Sequence, residues 1–241
     1  CWHTARDSRA EFMCILVMIG STLGKIANEV YTLQQTETAE LEEGSSASRY
    51  SSTMPHKRNP SDSQRVVALS KVVCHNASLA LEAMIVEHER DLRASAMEDI
   101  ARTQICISLG EILQRSINII RDLIVKPDKM KSNLDLLKGT ILSEAVTLEL
   151  GKYIGRLTAH QIVREGALRA YEQGISFKEA LMKDTRVTKY MSEAKIDRLL
   201  DPTRYVGLAP KIARDMVALT KKELRGALPT HATGNVTSLH T

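Results

Sequence analysis

The stretch FMCILVMIGSTLGKIANEVYTL (residues 12–33) decides the fold class of this chain. Its apolar side chains recur at alternating intervals of four and three residues, which places them on one line along a helix. That line consists of Phe12, Leu16, Ile19, Leu23, Ile26, Val30 and Leu33. A seam with this heptad-like spacing packs against neighbouring helices, so it predicts a helix bundle.

Helical patterns continue along the rest of the chain. Widely separated prolines permit long helices, and they occur only at positions 55, 60, 127, 202, 210 and 229. Residues 65–86 are apolar on nearly all sides, which is typical of a helix buried within a bundle or an assembly. A third helix is predicted over about 99–125. Shorter helices are expected near 128–136, 141–153, 158–173, 177–183, 192–200 and 209–225.

These patterns predict an all-α protein with two domains. A long-helix domain is expected over residues 1–126, with a loop at 44–60, and a small helical domain over 127–227. Ser176 and Glu179 form a capping-box pattern at one helix start in the small domain. The polar, aperiodic tail 228–241 is expected to lie outside both domains.

Composition excludes several classes of function. Lys plus Arg exceed Asp plus Glu by only four, and the excess is spread along the chain, so nucleic acid is not an expected partner. The four cysteines have no metal-ligand spacing, which predicts reduced thiols in a cytoplasmic protein without a metal. The longest apolar run, residues 12–20, is about half of what a membrane span needs, so no membrane association is expected.

The segment SSTMPHKRNP (residues 51–60) carries the chemistry of the loop. Its hydroxyls and cations suit an anionic ligand whose negative charge grows during reaction, as in proton removal next to a carboxylate. Lys57 offers a point charge, and Asn59 offers an amide donor or a cap for a helix whose first residue is Pro60. The start of that helix is expected to contribute backbone N–H groups and its dipole. Ser51 or Ser52 can act as the base if its alkoxide is stabilised.

This segment resembles the signature loop of the fumarase/aspartase superfamily, whose pattern is close to GSSxMPxKxNP. The His-Lys-Arg version resembles the branch of adenylosuccinate lyases and 3-carboxy-cis,cis-muconate cycloisomerases. WHTARD (residues 2–7), the acidic run QTETAELEE (35–43) and HERD (88–91) resemble the same branch, and the likeness covers about residues 2–210. It implies an all-helical bundle and a homotetramer whose active sites are shared between subunits.

The resemblance also implies a reaction and a set of site residues. The family reaction is anti-elimination across a C–N bond with release of fumarate, without metal or cofactor, from a substrate that contains a dicarboxylate. Ser51 matches the catalytic base. The positions that match substrate-binding residues are Ser52, Thr53, Met54, Lys57, Asn59, Arg90 and Ser95.

Three functions stay open at this stage. The first is an adenylosuccinate-lyase-like enzyme, and the second is a cycloisomerase-like enzyme, which the WHTARD segment favours. The third is a non-catalytic helical scaffold. It is motivated by Tyr50 where the family has Gly, and by Asp99 where adenylosuccinate lyases have a phosphate-binding Arg. Because the chain starts with Cys1 and lacks the family's general-acid His, we expect a further segment to precede it.

Overall fold

The computed structural model describes residues 4–44 and 58–227, with side chains up to residue 225. About three quarters of these residues are helical, 77%, and strand is scarce among them, which confirms the predicted all-α class. The helices are α1 (Asp7–Leu33), α2 (Ser61–Glu82), α3 (Leu92–Asp122), α4 (Pro127–Leu134), α5 (Ser143–Ile154), α6 (Arg156–Gln173), α7 (Phe177–Met182), α8 (Thr185–Thr188), α9 (Glu193–Leu199) and α10 (Ala209–Ala227). Two short strands, β1 (Leu41–Glu42) and β2 (Ile124–Val125), pair antiparallel. The chain divides into two compact units, Cys1–Asn133 and Leu134–Thr241.

The first unit is a three-helix bundle in which α1 packs against α2 and α3. The predicted seam of α1 was wrong in its register. The buried line runs instead through Ala10, Met13, Val17, Gly20, Gly24, Ala27 and Val30, whereas Phe12 is 48% exposed and Ile19 and Ile26 are also exposed. The reason is close helix contact, because a Cβ atom on Gly24 would lie 2.4 Å from the Ser70 Oγ of α2.

The other two long helices also differ from the sequence-based expectation. The helix α3 begins at Leu92 and not near residue 99, because the Asp91 carboxylate accepts a hydrogen bond from the Arg93 amide (2.9 Å) and caps it. The helix α2 was predicted to be buried on nearly all sides, yet Val72 and Leu81 are exposed within this chain. Its buried side chains, Val66 and Val73 among them, face α1 and α3.

By length and composition alone, the helix α1 could cross a membrane. This differs from the sequence-based expectation, which considered only the uninterrupted apolar run 12–20. In the structure, its buried line packs against the other two long helices, whereas Phe12 and Met18 on its other face are exposed within this chain. Packing within the chain therefore accounts for part of its apolar character.

The second unit has its own core around Phe177, Leu150 and Leu181, which are fully buried. The predicted capping at the start of α7 is confirmed, since Ser176 Oγ accepts a hydrogen bond from the Glu179 amide (3.1 Å). The short helix α8 was not predicted. It begins after a buried aspartate, Asp184, whose pKa is lowered by hydrogen bonds from Arg186 and Arg169.

Candidate functional site

The predicted site residues divide into two groups. Ser51, Ser52, Thr53, Met54 and Lys57 lie outside the described residues, so their roles stay predictions. The other three are described, and they lie in two different places. Asn59 immediately precedes α2, whereas Arg90 and Ser95 lie at the start of α3.

A buried glutamate caps α2, the helix that follows the signature segment. Glu43 is 5% exposed, and its carboxylate accepts hydrogen bonds from the amides of Asp62 (3.0 Å) and Ser63 (2.8 Å) and from the Ser63 hydroxyl (2.7 Å). The predicted cap by the Asn59 side chain was wrong, because Pro60 occupies the cap position without a side-chain bond. Glu43 therefore occupies these two amides at the start of α2, so the prediction that they donate to the substrate is wrong as well.

Two further contacts fix the residues on both sides of the segment 45–57. Gln34, at the end of α1, donates from Nε2 to the Arg58 carbonyl (3.2 Å) and accepts from the Glu43 amide (2.7 Å). Glu42 pairs with Arg58 and with Lys126 (2.5 Å). The hydrogen bonds from Lys126 and Arg58 lower the pKa of the Glu42 carboxyl. Glu42 lies in β1, just before the segment, and it therefore holds both Arg58, which follows the segment, and Lys126, which follows β2.

Gly44 adds a steric constraint at the beginning of the same segment. A Cβ atom at this position would lie 2.3 Å from the Asp122 carbonyl oxygen at the end of α3. Only glycine avoids this backbone clash. The entry to the segment is therefore held against α3, and its exit at Arg58 is held by α1 and β1.

At the opposite end of the bundle, Ser95 lies in a network of charged groups. Its half-buried hydroxyl accepts a hydrogen bond from Arg6 Nη2 (2.8 Å) and donates to the Asp91 carbonyl over a long 3.4 Å. Arg6 and Glu98 are 6% and 4% exposed and form an ion pair. Arg9 reaches the same carboxylate from the exposed side (3.0 Å).

Sequence reasoning did not assign a role to Arg6, although the residue lies in the quoted WHTARD segment. Its partner Glu98 is 92 residues away, and no sequence spacing indicates that pairing. Asp99, by contrast, is exposed and pairs with Arg102 (2.6 Å). A carboxylate therefore occupies this position, one helical turn after Ser95 in α3.

The two groups of described site residues do not meet within one chain. Asp62, three residues after Asn59, pairs with Arg115 (2.6 Å), so the start of α2 lies beside the carboxyl-terminal half of α3. Ser95 precedes Arg115 by twenty residues in the same helix. At 1.5 Å per residue this amounts to roughly 30 Å. One chain therefore separates Asn59 from Ser95 by most of the length of the bundle.

Comparisons with known proteins fit this helical architecture. The family model described as "Lyase" matches residues 3–74, and the model described as "Adenylosuccinate lyase C-terminus" matches residues 139–216. An N-acetyl-S-(2-succino)cysteine lyase of Dickeya dadantii is 40% identical over 90% of this chain and 48% of its own length. The chain belongs to the fumarase/aspartase superfamily.

Two further members of this superfamily resemble the chain. An adenylosuccinate lyase of Methanocaldococcus jannaschii is 36% identical over 90% of this chain and 48% of its own length. The crystal structure of the 3-carboxy-cis,cis-muconate lactonizing enzyme from Pseudomonas putida superposes with a TM-score of 0.79, at 34% identity, over 86% of this chain and 46% of its own. The chain thus spans about half the length of the relatives it matches, and it lies in the branch expected from its motifs.

Proposed function

We propose that the protein is an adenylosuccinate-lyase-like enzyme that releases fumarate from a succinyl-substituted substrate. One observation carries the proposal most directly: the stretch 45–57, which contains most of the signature residues, is bordered on both sides by residues fixed to the bundle. Glu43, Gly44 and Arg58 are each held by buried or closely packed partners. A rigid frame of this kind is what a loop with catalytic residues requires.

In the proposed reaction Ser51 removes a proton from the carbon next to a carboxylate. The negative charge that develops on that carboxylate is stabilised by Lys57 and Asn59. The bond between the neighbouring carbon and the leaving nitrogen (sulfur in N-acetyl-S-(2-succino)cysteine) then breaks while that atom takes up a proton, and fumarate and an amine (or thiol) form. Ser52, Thr53 and Met54 are assigned to substrate binding within the same segment. Because Glu43 occupies the Asp62 and Ser63 amides, stabilisation is assigned to side chains of the segment and not to those amides.

The proposed enzyme is a homotetramer whose active sites combine residues from different subunits. The separation of roughly 30 Å between Asn59 and Ser95 supports this assignment, because one chain cannot bring both to one small substrate. The three long helices also expose many large apolar side chains, which an assembly would bury. They include Phe12, Met18, Val72, Leu81, Ile100, Ile107, Ile117 and Ile120.

The nature of the leaving group is the finer part of the proposal. If the substrate is adenylosuccinate, the enzyme has a role in purine metabolism. The site must then also accommodate the phosphate group of adenylosuccinate. The exposed Asp99, which pairs with Arg102, places a carboxylate one helical turn after Ser95 in α3, and this disfavours a phosphate there. The same observation favours the second candidate, a cycloisomerase-like enzyme. A non-catalytic scaffold is the third, and it predicts no turnover of any of these substrates. No nucleic acid, membrane or cofactor is assigned, and a cytoplasmic location stays a prediction.

Two experiments on the full-length gene product test the proposal. The first compares adenylosuccinate, N-acetyl-S-(2-succino)cysteine and 3-carboxy-cis,cis-muconate as substrates, with fumarate release as the expected result for one of the first two. Turnover of the muconate alone would support the cycloisomerase, and turnover of none would support the scaffold.

The second experiment mixes an inactive variant, Ser51→Ala, with a variant that binds substrate weakly, Ser95→Ala, under conditions in which subunits exchange. If the two serines come from different subunits, about a quarter of the sites in mixed assemblies are intact, and activity with the wild-type KM returns. No recovery, although mixed assemblies form, would contradict shared sites.

A further inference from the structure

The hydrogen bonds of Arg6 are unusual for a buried arginine. Its Nη1 pairs with Glu98, and its Nη2 donates to the Ser95 hydroxyl at 2.8 Å. Its Nε, also buried, has no hydrogen-bond partner among the described residues. Buried N–H groups are nearly always paired, so an orphan requires an explanation. A fork that gripped Glu98 with Nε and Nη2 would pair the buried Nε, but it would take Nη2 away from Ser95.

The hydroxyl of Ser95 is left in a state that suits an anionic ligand. Because it accepts from Arg6, its oxygen is fixed in place and its single proton points elsewhere. That proton is directed to the Asp91 carbonyl over 3.4 Å, well beyond the usual 2.7–2.8 Å of an O–H···O bond. A ligand oxygen at normal distance would therefore attract this proton more strongly than Asp91 does.

We propose that Arg6 is a positioning residue, which holds Ser95 so that its hydroxyl donates to an anionic oxygen of the succinyl substrate. The inference rests on the proposed function, because it takes Ser95 as a substrate contact. The backbone of Arg6 is itself fixed, since its carbonyl accepts from the amides of Arg9 (3.1 Å) and Ala10 (3.0 Å) at the start of α1. The amino-terminal end of α1 thus sets the direction of a side chain on α3.

Arg9 provides a matched control for this role. Its Nη1 lies 3.0 and 3.3 Å from the two oxygens of Glu98, so it binds the same carboxylate as Arg6. Unlike Arg6, it is mostly exposed, and it has no hydrogen bond to Ser95 among the described contacts. The substitution Arg9→Lys therefore perturbs the ion pair but leaves the Arg6–Ser95 contact in place.

The test is a double-mutant cycle on the full-length gene product with a substrate that the wild type cleaves. Arg6→Lys keeps the positive charge but cannot serve Glu98 and Ser95 with the same fork geometry. We expect it to raise KM about tenfold, the size of one hydrogen bond to a charged group, and to change kcat little. Arg9→Lys is expected to leave KM within about twofold.

The cycle separates positioning from a general structural effect. In a Ser95→Ala background, Arg6→Lys is expected to raise KM no further, although any loss of thermal stability should persist. If Arg6→Lys raised KM by the same factor with and without the Ser95 hydroxyl, the inference would be overturned.

A second readout keeps this inference apart from the proposed function. If the wild type cleaves no succinyl substrate, the proposed function fails, and crystal structures of the wild type and Arg6→Lys then decide on Arg6. A changed Ser95 rotamer in Arg6→Lys, with the wild-type rotamer kept in Arg9→Lys, supports the positioning role. An unchanged Ser95 rotamer in Arg6→Lys overturns it.

Discussion

Replacing Glu43 by Gln is expected to destabilise the start of α2 by about 2–3 kcal/mol. The glutamate accepts three hydrogen bonds, from the Asp62 and Ser63 amides and the Ser63 hydroxyl. A glutamine has one acceptor oxygen, so it can satisfy one amide while its NH₂ group faces the other. Losing one or two bonds to a charged group costs about 1.5–3 kcal/mol, and the lost charge at the helix start adds about 0.5 kcal/mol.

Urea unfolding of the variant and the wild type measures this difference. Hydrogen exchange at the Asp62 and Ser63 amides reports the same contacts locally, and both amides should lose protection. Glu37→Gln is the matched control, because Glu37 lies in the same acidic run but is exposed, and it should change stability by less than about 0.5 kcal/mol. Equal effects of the two substitutions, or unchanged protection at Asp62 and Ser63, would refute the assigned role of Glu43.

Two further predictions concern helix contact and acid sensitivity. Gly24→Ala should lower the free energy of unfolding by about 1–3 kcal/mol, because its Cβ atom would clash with Ser70. Gly110→Ala is the control: the space around its Cβ atom is open, so it should raise the free energy of unfolding by up to about 1 kcal/mol. Urea unfolding compares the two variants, and stabilisation by both would contradict the observed contact between α1 and α2. Hydrogen bonds from Arg65 and Arg115 lower the pKa of the Glu111 carboxyl in the folded protein to about 2, from 4.5 as the ordinary value. Its ionised form therefore stabilises the fold fully above pH 4.5, and this stabilisation is lost as the pH falls towards 2. Glu111→Gln should therefore flatten stability between pH 4.5 and 2, and an unchanged pH profile there would refute this.

The all-helical class could be predicted from the sequence because apolar periodicity is a local signal. The packed face of α1 could not be predicted, because a hydrophobic pattern gives most weight to large side chains. The contact with α2 instead depends on a glycine, Gly24, opposite Ser70. Small residues carry little weight in a hydrophobic pattern, although they decide how closely two helices approach.

The start of α3 differs from the sequence-based prediction for another reason. Charged residues at 87–93 interrupt the apolar pattern, so this pattern predicts a later start, although Asp91 is a preferred cap residue. The acidic run before the signature segment is evident in the sequence, but the sequence does not indicate which glutamate is buried. Only the tertiary structure distinguishes Glu43, which binds the start of α2, from the exposed Glu37.

The candidate site was predictable where it is a contiguous motif and unpredictable where it depends on distant contacts. The segment 51–60 could be recognised from its residue types alone. The link from Arg6 to Ser95 and Glu98 joins residues about ninety positions apart, and no spacing rule predicts it. The separation of Asn59 from Ser95 likewise became evident only from the antiparallel packing of α2 and α3.

Turnover by a Ser51→Ala variant of the full-length gene product tests the central claim most directly. The measurement is fumarate release from a succinyl substrate, with Ser48→Ala as a matched control outside the signature pattern. We expect Ser51→Ala to lose at least about a hundredfold in kcat while its assembly state is retained, as for removal of a general base, and Ser48→Ala to stay active. Full turnover by Ser51→Ala would contradict proton removal by this serine.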